Sequence, residues 1–245
     1  SAKISYVKWD MNRHMSDAYS PLLSNQGEFS HRYIMGLYEV LGRIFEQRPY
    51  ILFESCSSGG NRFDLGMLCY SPQVWASDDT DPIERLDIQG GLSYLYPQST
   101  MGAHVSAAPH QQTLRDTPLS TRFNVAAFGV LGYELELKYM TKAELKELRG
   151  QIAFYKAHRK TLQYGRFYRF DESRDNKVHW QVSSRDGKEH IVGHFQKLCT
   201  ASEGYDTLSV RGLEPNARYH LVCKRQSLFV KRLGGLVKHG MPVEL

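Results

Sequence analysis

Residues 4–13 read Ile4-Ser5-Tyr6-Val7-Lys8-Trp9-Asp10-Met11-Asn12-Arg13, an apolar, β-prone run that ends abruptly in polar side chains. The pattern is that of a buried strand, Ile4 to Trp9, delivering its last residues into a loop. It recurs twice. Tyr50-Ile51-Leu52-Phe53 runs into the glycine-containing segment Ser55-Cys56-Ser57-Ser58-Gly59-Gly60-Asn61-Arg62-Phe63-Asp64, and Gln73-Val74-Trp75-Ala76 ends at Ser77-Asp78-Asp79-Thr80-Asp81. Helical patterns lie between and after these runs. From Phe29, apolar residues recur at Tyr33, Ile34, Leu37, Leu41, Ile44 and Phe45, and that helix must stop before Pro49, since proline disfavours helix in the residue before it. A further helix is predicted to start at Pro82, a favourable first-turn residue. Strands alternating with helices predict βα units on a parallel sheet.

The second part of the chain has a different texture. Thr141-Lys142-Ala143-Glu144 has the spacing of a capping box, and Leu145, Leu148 and Ile152 continue it as an amphipathic helix. Beyond Leu162 come short β-prone runs: residues 164–170 (YGRFYRF), 177–184 (KVHWQVSS), 189–195 (EHIVGHF), 206–210 (DTLSV) and 218–224 (RYHLVCK). Asp186-Gly187 between two of them is a hairpin signal. The expected organisation is an α/β domain over residues 1–160 and a small antiparallel β domain over 161–245.

With 245 residues, 41% hydrophobic and 23% charged, the composition is that of a globular protein with a sizeable core. No run of 18 apolar residues is present, so no membrane span is expected, and residues 1–10 carry no signal-peptide pattern. The formal charge of +5 comes from Lys and Arg spread singly and in pairs, densest in residues 231–239 (KRLGGLVKH); this reads as a solvated basic surface, and no nucleic-acid partner is expected. Cys56, Cys69, Cys199 and Cys223 form no CxxC pair and have no histidine at zinc-ligand spacing. Reduced thiols in the cytoplasm are expected, with no metal and no cofactor. The histidines are dispersed; His14, His104 and His110 read as loop hydrogen-bonding groups. Ser57 and Ser58 beside Gly59-Gly60 lack the order of a nucleophile elbow, and the glycine pair lacks the lysine of a phosphate loop.

Asp10 and Asp78 each follow a strand directly. In a parallel α/β barrel, groups at the C-terminal strand ends converge on one mouth. Two carboxylates delivered there suit glycoside hydrolysis, in which one attacks the anomeric carbon and the other, as an acid, protonates the leaving oxygen. Aspartate at a strand end is also a common helix cap or turn former, and the pattern alone leaves both readings open.

Five segments in order, residues 8–13 (KWDMNR), 54–64 (ESCSSGGNRFD), 75–91 (WASDDTDPIERLDIQGG), 101–106 (MGAHVS) and 117–137 (TPLSTRFNVAAFGVLGYELEL), resemble glycoside hydrolase family 36, the bacterial α-galactosidases and their plant raffinose-synthase relatives. The resemblance spans about residues 1–140. It implies the C-terminal portion of a (β/α)8 TIM barrel, about strands four to eight, followed by the antiparallel β domain. By the same resemblance Asp10 is the nucleophile and Asp78 the general acid/base of a retaining exo-α-galactosidase acting on melibiose- or raffinose-type oligosaccharides, with the carboxyl groups roughly 5–5.5 Å apart. Lys8 and Asn12 match sugar-binding positions, and Lys8 would also help keep Asp10 ionised. Cys56 and Gly59 match the segment that approaches the sugar near its 2-hydroxyl, and Trp9 and Trp75 are candidate apolar walls of the substrate site or core residues. Asp79 and Asp81 are expected to be structural.

Residues 57–61 (SSGGN) and 110–116 (HQQTLRD) depart from the family's more glycine-rich and NHQT-like versions, which bears on aglycone preference. The resemblance further implies that the strands carrying the acidic pair for the galactose 4- and 6-hydroxyls are not in this sequence. An open partial barrel exposes strand edges, so self-association into a homo-oligomer is expected, together with little or no hydrolysis by the isolated chain. Two other readings share the segments: a raffinose-synthase-like transglycosylase, and a non-catalytic fragment that binds carbohydrate.

Overall fold

The computed structural model describes residues 3–12, 15–170, 176–198, 201–202, 207–222, 228–232 and 235–239, the last two ranges as backbone. Five strands form one parallel sheet in sequence order: β1 (Tyr6–Asp10), β2 (Leu52–Cys56), β3 (Gln73–Trp75), β4 (Met101–Ser106) and β5 (Val130–Glu134). Helices α1 (Phe29–Gln47), α2 (Leu65–Leu68), α3 (Pro82–Leu92) and α4 (Leu119–Ala126) provide the crossovers, and α5 (Lys142–Tyr164) leaves the last strand. Each step pairs with its neighbour in parallel register, as in Asp10 beside Cys56 and Trp75 beside Gly102. Strands β1 and β5 are the two edges of this sheet among the described residues.

Local chemistry accounts for where the elements begin and end. Helix α1 stops at Gln47, and Arg48 closes it with an N–H donated to the Ile44 carbonyl. The strand expected from Tyr50 starts later, at Leu52, because Arg48–Ile51 is a turn closed by the Ile51 N–H on the Arg48 carbonyl. Helix α3 opens on Asp81, whose carboxylate accepts the Ile83 N–H, with Pro82 in the first turn. Helix α5 carries the complete capping box between Thr141 and Glu144; such a cap stabilises a helix by about 1 kcal/mol.

Strand alternation divides the sheet into two faces. On the helix-covered face, Ala103 and Val105 of β4 pack with Leu119, Phe123, Ala126 and Ala127 around α4, and with Tyr155 and Leu162 of α5. The other face carries Lys8, Asp10, Glu54, Cys56, Trp75 and His104. There, glycine on one strand makes room for a ring from the strand before. Gly102 sits beside Trp75 and Gly132 beside His104 in the register. A methyl on Gly102 would come within 2.9 Å of Trp75 Cε3, and one on Gly132 would lie on the His104 ring.

The remaining strands are antiparallel: β6 (Arg166–Arg169), β7 (Lys177–Ser183) and β8 (His190–Gln196) in one sheet, β9 (Leu228–Arg232) and β10 (Gly235–His239) in a hairpin. Gly187, with φ +69°, supplies the left-handed residue of the β7–β8 turn. The three-stranded sheet lies on the α/β part. Trp180, Val182 and Phe195 form a buried cluster with Leu86 of α3 and with Val125 and Phe128 at the end of α4. Two expected strands are not found among the described residues: 207–210 and 218–222 make no ladder there and are exposed. Strand pairing goes to residues 228–239 instead, which include the basic stretch read as solvated surface. Cys199 and Cys223 lie outside the described residues, as do Arg13 and His14.

The glycine next to His104 sets a contrast with a helical glycine. Gly132→Ala is expected to lower unfolding free energy by about 1–3 kcal/mol through overpacking. Gly150→Ala, in the interior of α5 with nothing within 4 Å of the new methyl, is expected to raise it by about 0.5–1 kcal/mol. Urea denaturation of the two variants checks both signs.

Candidate active site

Asp10 ends β1 on the open face, beside Cys56 at the end of β2. Its carboxylate accepts a hydrogen bond from Asn12 Nδ2 at 3.0 Å and one from the Cys56 thiol. Desolvation pulls the Asp10 carboxyl upward, but the thiol, the Asn12 amide, the Met11 N–H and the Lys8 charge together hold it below its usual value. Burial and the same carboxylate push the Cys56 thiol up to about 11, so the S–H keeps its proton and donates. The arrangement maintains an anion at Asp10.

Lys8 has a second role besides the one expected of it. Its ammonium lies 3.4 Å from Glu54 Oε1 and 4.5 Å from the centre of the Trp75 ring. Glu54 is buried and also accepts from Tyr6 Oη and, at 3.2 Å, from Gln73 Nε2. Burial and Glu54 push the Tyr6 phenol up, so Tyr6 remains a donor.

Asp78 leaves β3 on the exposed rim, and Trp75 Nε1 donates to its Oδ1 at 2.9 Å. Arg85 of α3, 2% exposed, anchors the backbone around it. Nε donates to the Asp79 carbonyl at 2.6 Å, Nη2 to Ser77 at 2.7 Å and Nη1 to Gly102 at 3.0 Å. Burial lowers the proton affinity of this guanidinium, and the carboxylates of Asp79, Asp78 and Glu134 offset only part of that.

The loop after β2 connects the two aspartates. Asn12 Oδ1 accepts the Ser58 N–H at 2.8 Å, and Ser57 Oγ donates to the Met11 carbonyl at 2.7 Å. At Gly59, φ is +80°, and a Cβ there would lie 3.0 Å from Ser77 Cα and 3.1 Å from the Asp78 nitrogen. Gly60 abuts the Ala76 carbonyl in the same way. At Gly59 and Gly60 the backbone thus closely approaches the strand end that carries Asp78.

Of the sequence-predicted residues, Lys8, Asp10, Asn12, Cys56, Gly59 and Asp78 surround this one rim. Trp9 does not join them. Strand alternation turns it to the helix side, where its ring centre is 6.0 Å from that of Phe53. Trp75 is on the site face, packed 4.3 Å from the His104 ring. Asp79 and Asp81 have structural partners. Asp79 Oδ1 accepts the Asp81 N–H at 2.9 Å; Asp81 is fully buried and pairs with Arg115 Nη1 at 2.6 Å and with Thr113. His110 Nδ1 faces the N–H groups of Gln112 and Thr113, which leaves Nε2 to donate to Thr80 at 3.0 Å. Sequence pattern does not single out Glu54 or Arg85, and His104, expected in a loop, lies instead in strand β4 with Nδ1 3.4 Å from Glu134 Oε2. A charged residue inside the apolar run 51–55 was the available signal for Glu54.

A profile of the melibiase family matches residues 1–165, and that of the glycosyl hydrolase family 36 C-terminal domain matches residues 177–243. The chain belongs to the melibiase family. It is 47% identical to α-galactosidase AgaA of Geobacillus stearothermophilus, over 90% of this chain and 31% of that one. To α-galactosidase 1 of Pediococcus pentosaceus it is 46% identical, over 92% of this chain and 31% of the relative. The crystal structure of a Lactobacillus brevis α-galactosidase superposes with a TM-score of 0.86 at 47% identity, covering 91% of this chain and 31% of that one. An AgaA variant in complex with raffinose superposes at 0.84 with 46% identity, covering 88% and 30%. The chain therefore spans less than a third of those relatives' length. Its five-stranded sheet is the C-terminal portion of a (β/α)8 barrel, followed by antiparallel β structure.

Burial pushes the Asp81 carboxyl up, while Thr113, Arg115 and the Ile83 N–H outweigh it and hold the group below its usual 3.8. A depressed folded-state value means stabilisation that is complete above the ordinary carboxylate range and lost as pH falls through the folded value. Asp81→Ala is expected to cost about 1–2 kcal/mol at pH 7, through the lost cap of α3 and the lost ion pair with Arg115, which is part-exposed and keeps Glu84. The gap to the wild type should narrow below pH 3.8, which urea unfolding at the two pH values measures.

Proposed function

We propose that this chain carries the catalytic carboxylates of a retaining exo-α-galactosidase that releases terminal α-galactosyl groups from raffinose-type oligosaccharides. The supporting observation is the Asp10 carboxylate, kept anionic by a thiol and an amide and facing, across the Ser57–Gly60 loop, the strand end that bears Asp78. Relatives bearing the name α-galactosidase, one of them crystallised as variants with raffinose and with stachyose, support the substrate class.

In this reading Asp10 attacks the anomeric carbon. The bond to the leaving oxygen breaks, its electron pair stays on that oxygen, and the oxygen takes the proton of Asp78. A water then gives its proton to Asp78 and attacks the same carbon, Asp10 departs, and the α configuration returns. Lys8, Asn12, Cys56 and Gly59 would line the galactose side. We assign this chemistry to an α/β catalytic domain over residues 1–160, with residues 161–245 as the β domain.

The apolar side chains of Ile4 and Tyr6, each about half exposed beside or on the β1 edge, support self-association. The free thiols of Cys56 and Cys69 suit a reducing, cytoplasmic setting. No helix among the described residues is long and apolar enough to cross a membrane.

An α-galactose-configured cyclophellitol epoxide tests the assignment. Mass mapping is expected to find the covalent label on the Asp10 peptide and none in Asp10→Ala; a label on another residue sinks the reading. Because the sheet is open at β1 and β5, turnover of p-nitrophenyl α-galactoside by the 245-residue chain is expected to be slow or undetectable. Rapid turnover would contradict an incomplete site.

A further inference from the structure

The indole of Trp75 is held on every side. It is 4% exposed, with the Lys8 ammonium 4.5 Å and the Arg85 guanidinium 4.9 Å from the ring centre. The His104 ring packs 4.3 Å away, and Gly102 leaves the space that the ring fills. A ring clamped in this way cannot turn without disturbing two cations and a strand. Its N–H has a fixed direction, and it points at Asp78 Oδ1 at 2.9 Å.

An indole nitrogen is a donor only. A carboxylic acid has one donor oxygen and one acceptor oxygen, so an acid proton on Oδ1 would set donor against donor. We propose that Trp75 is a positioning residue that assigns the two oxygens of Asp78. Oδ1 stays an acceptor in both protonation states, and the transferable proton rides on Oδ2. The same carboxyl thereby presents its O–H from one oxygen to the leaving group and receives the water's proton on that oxygen in the second step. The inference rests on the acid/base role given to Asp78 above. Its geometric part, a neutral carboxyl that keeps Oδ1 toward the indole, stands independently of that role.

The chain has three tryptophans, so a 1H–15N spectrum of the full chain contains three indole cross-peaks. Trp75→Phe, which keeps the packing and removes the N–H, identifies the Trp75 peak by its loss. Asp78→Asn mimics the neutral acid, with a carbonyl in place of Oδ1 and a donor in place of the protonated Oδ2. It is expected to leave the Trp75 peak near its wild-type, hydrogen-bonded position. Asp78→Ala is expected to move that peak upfield while the Trp9 and Trp180 peaks stay in place. Asp78→Ser, too short to reach the indole, serves in its stead should the alanine variant disturb all three. A Trp75 peak that truncation of Asp78 leaves in place overturns the proposal, and so does one that Asp78→Asn moves as far as truncation does. Failure of the galactosidase reading would appear in the labelling of Asp10 and leave the indole comparison unchanged.

Discussion

On the open face of the sheet, a large ring on one strand rests over a glycine on the next: Trp75 over Gly102, then His104 over Gly132. The distance between neighbouring strands, about 4.8 Å, leaves no room for two full side chains to lie flat side by side. Omitting one allows the other to tilt across. Most other features of the rim follow from that tilt. A flat Trp75 offers one face to Lys8 and meets Arg85 with its π system, and its edge reaches Asp78. Arg85, drawn under the ring, collects the carbonyls of Ser77, Asp79 and Gly102 and so shapes the loop that holds the carboxylate.

The charges on this face are arranged in pairs that limit the cost of burying them. Glu54 is nearly inaccessible, yet Tyr6, Gln73 and Lys8 all approach it. Lys8 is shared between Glu54 and the Trp75 ring, which leaves Asp10 to be stabilised chiefly by neutral donors, the Cys56 thiol and the Asn12 amide. Hydrogen bonds to a carboxylate lower its proton affinity as a neighbouring cation does, without adding charge to the mouth. His104 is shifted by burial toward its neutral form, with Glu134 opposing, so it adds no third cation beside Lys8 and Arg85 at the Trp75 ring.

Much of this was legible from local pattern. Strand runs ending in Asp10 and Asp78, the proline that ends α1, the Thr141–Glu144 cap and the Asp186-Gly187 turn each depend on a few adjacent residues, and each is found where the pattern put it, within two residues. What the pattern could not supply was orientation. Trp9 and Trp75 are both strand tryptophans near an aspartate, yet parity sends one to the helix side and the other to the site. Gly59, matched to the segment that approaches the sugar, also lies against backbone atoms of Ser77 and Asp78, a contact between two strand ends that local pattern does not supply. Residues 207–210 and 218–222 have β-prone side chains but no partner strand among the described residues, and strand formation depends on pairing more than on propensity.

The cluster formed by Leu86, Val125, Phe128, Trp180, Val182 and Phe195 crosses the change in sequence texture near residue 160. Half of it hangs on α3 and α4, whose other ends hold the loops of the rim, and half on β7 and β8. A boundary visible in composition is therefore not a boundary in energy. Loosening the C-terminal sheet strips the apolar cover from the helix that bears Arg85, so the two parts should melt as one cooperative unit. Any recombination of modules in this family that cuts between them must carry both faces of the cluster together, because neither face has another place to be dry.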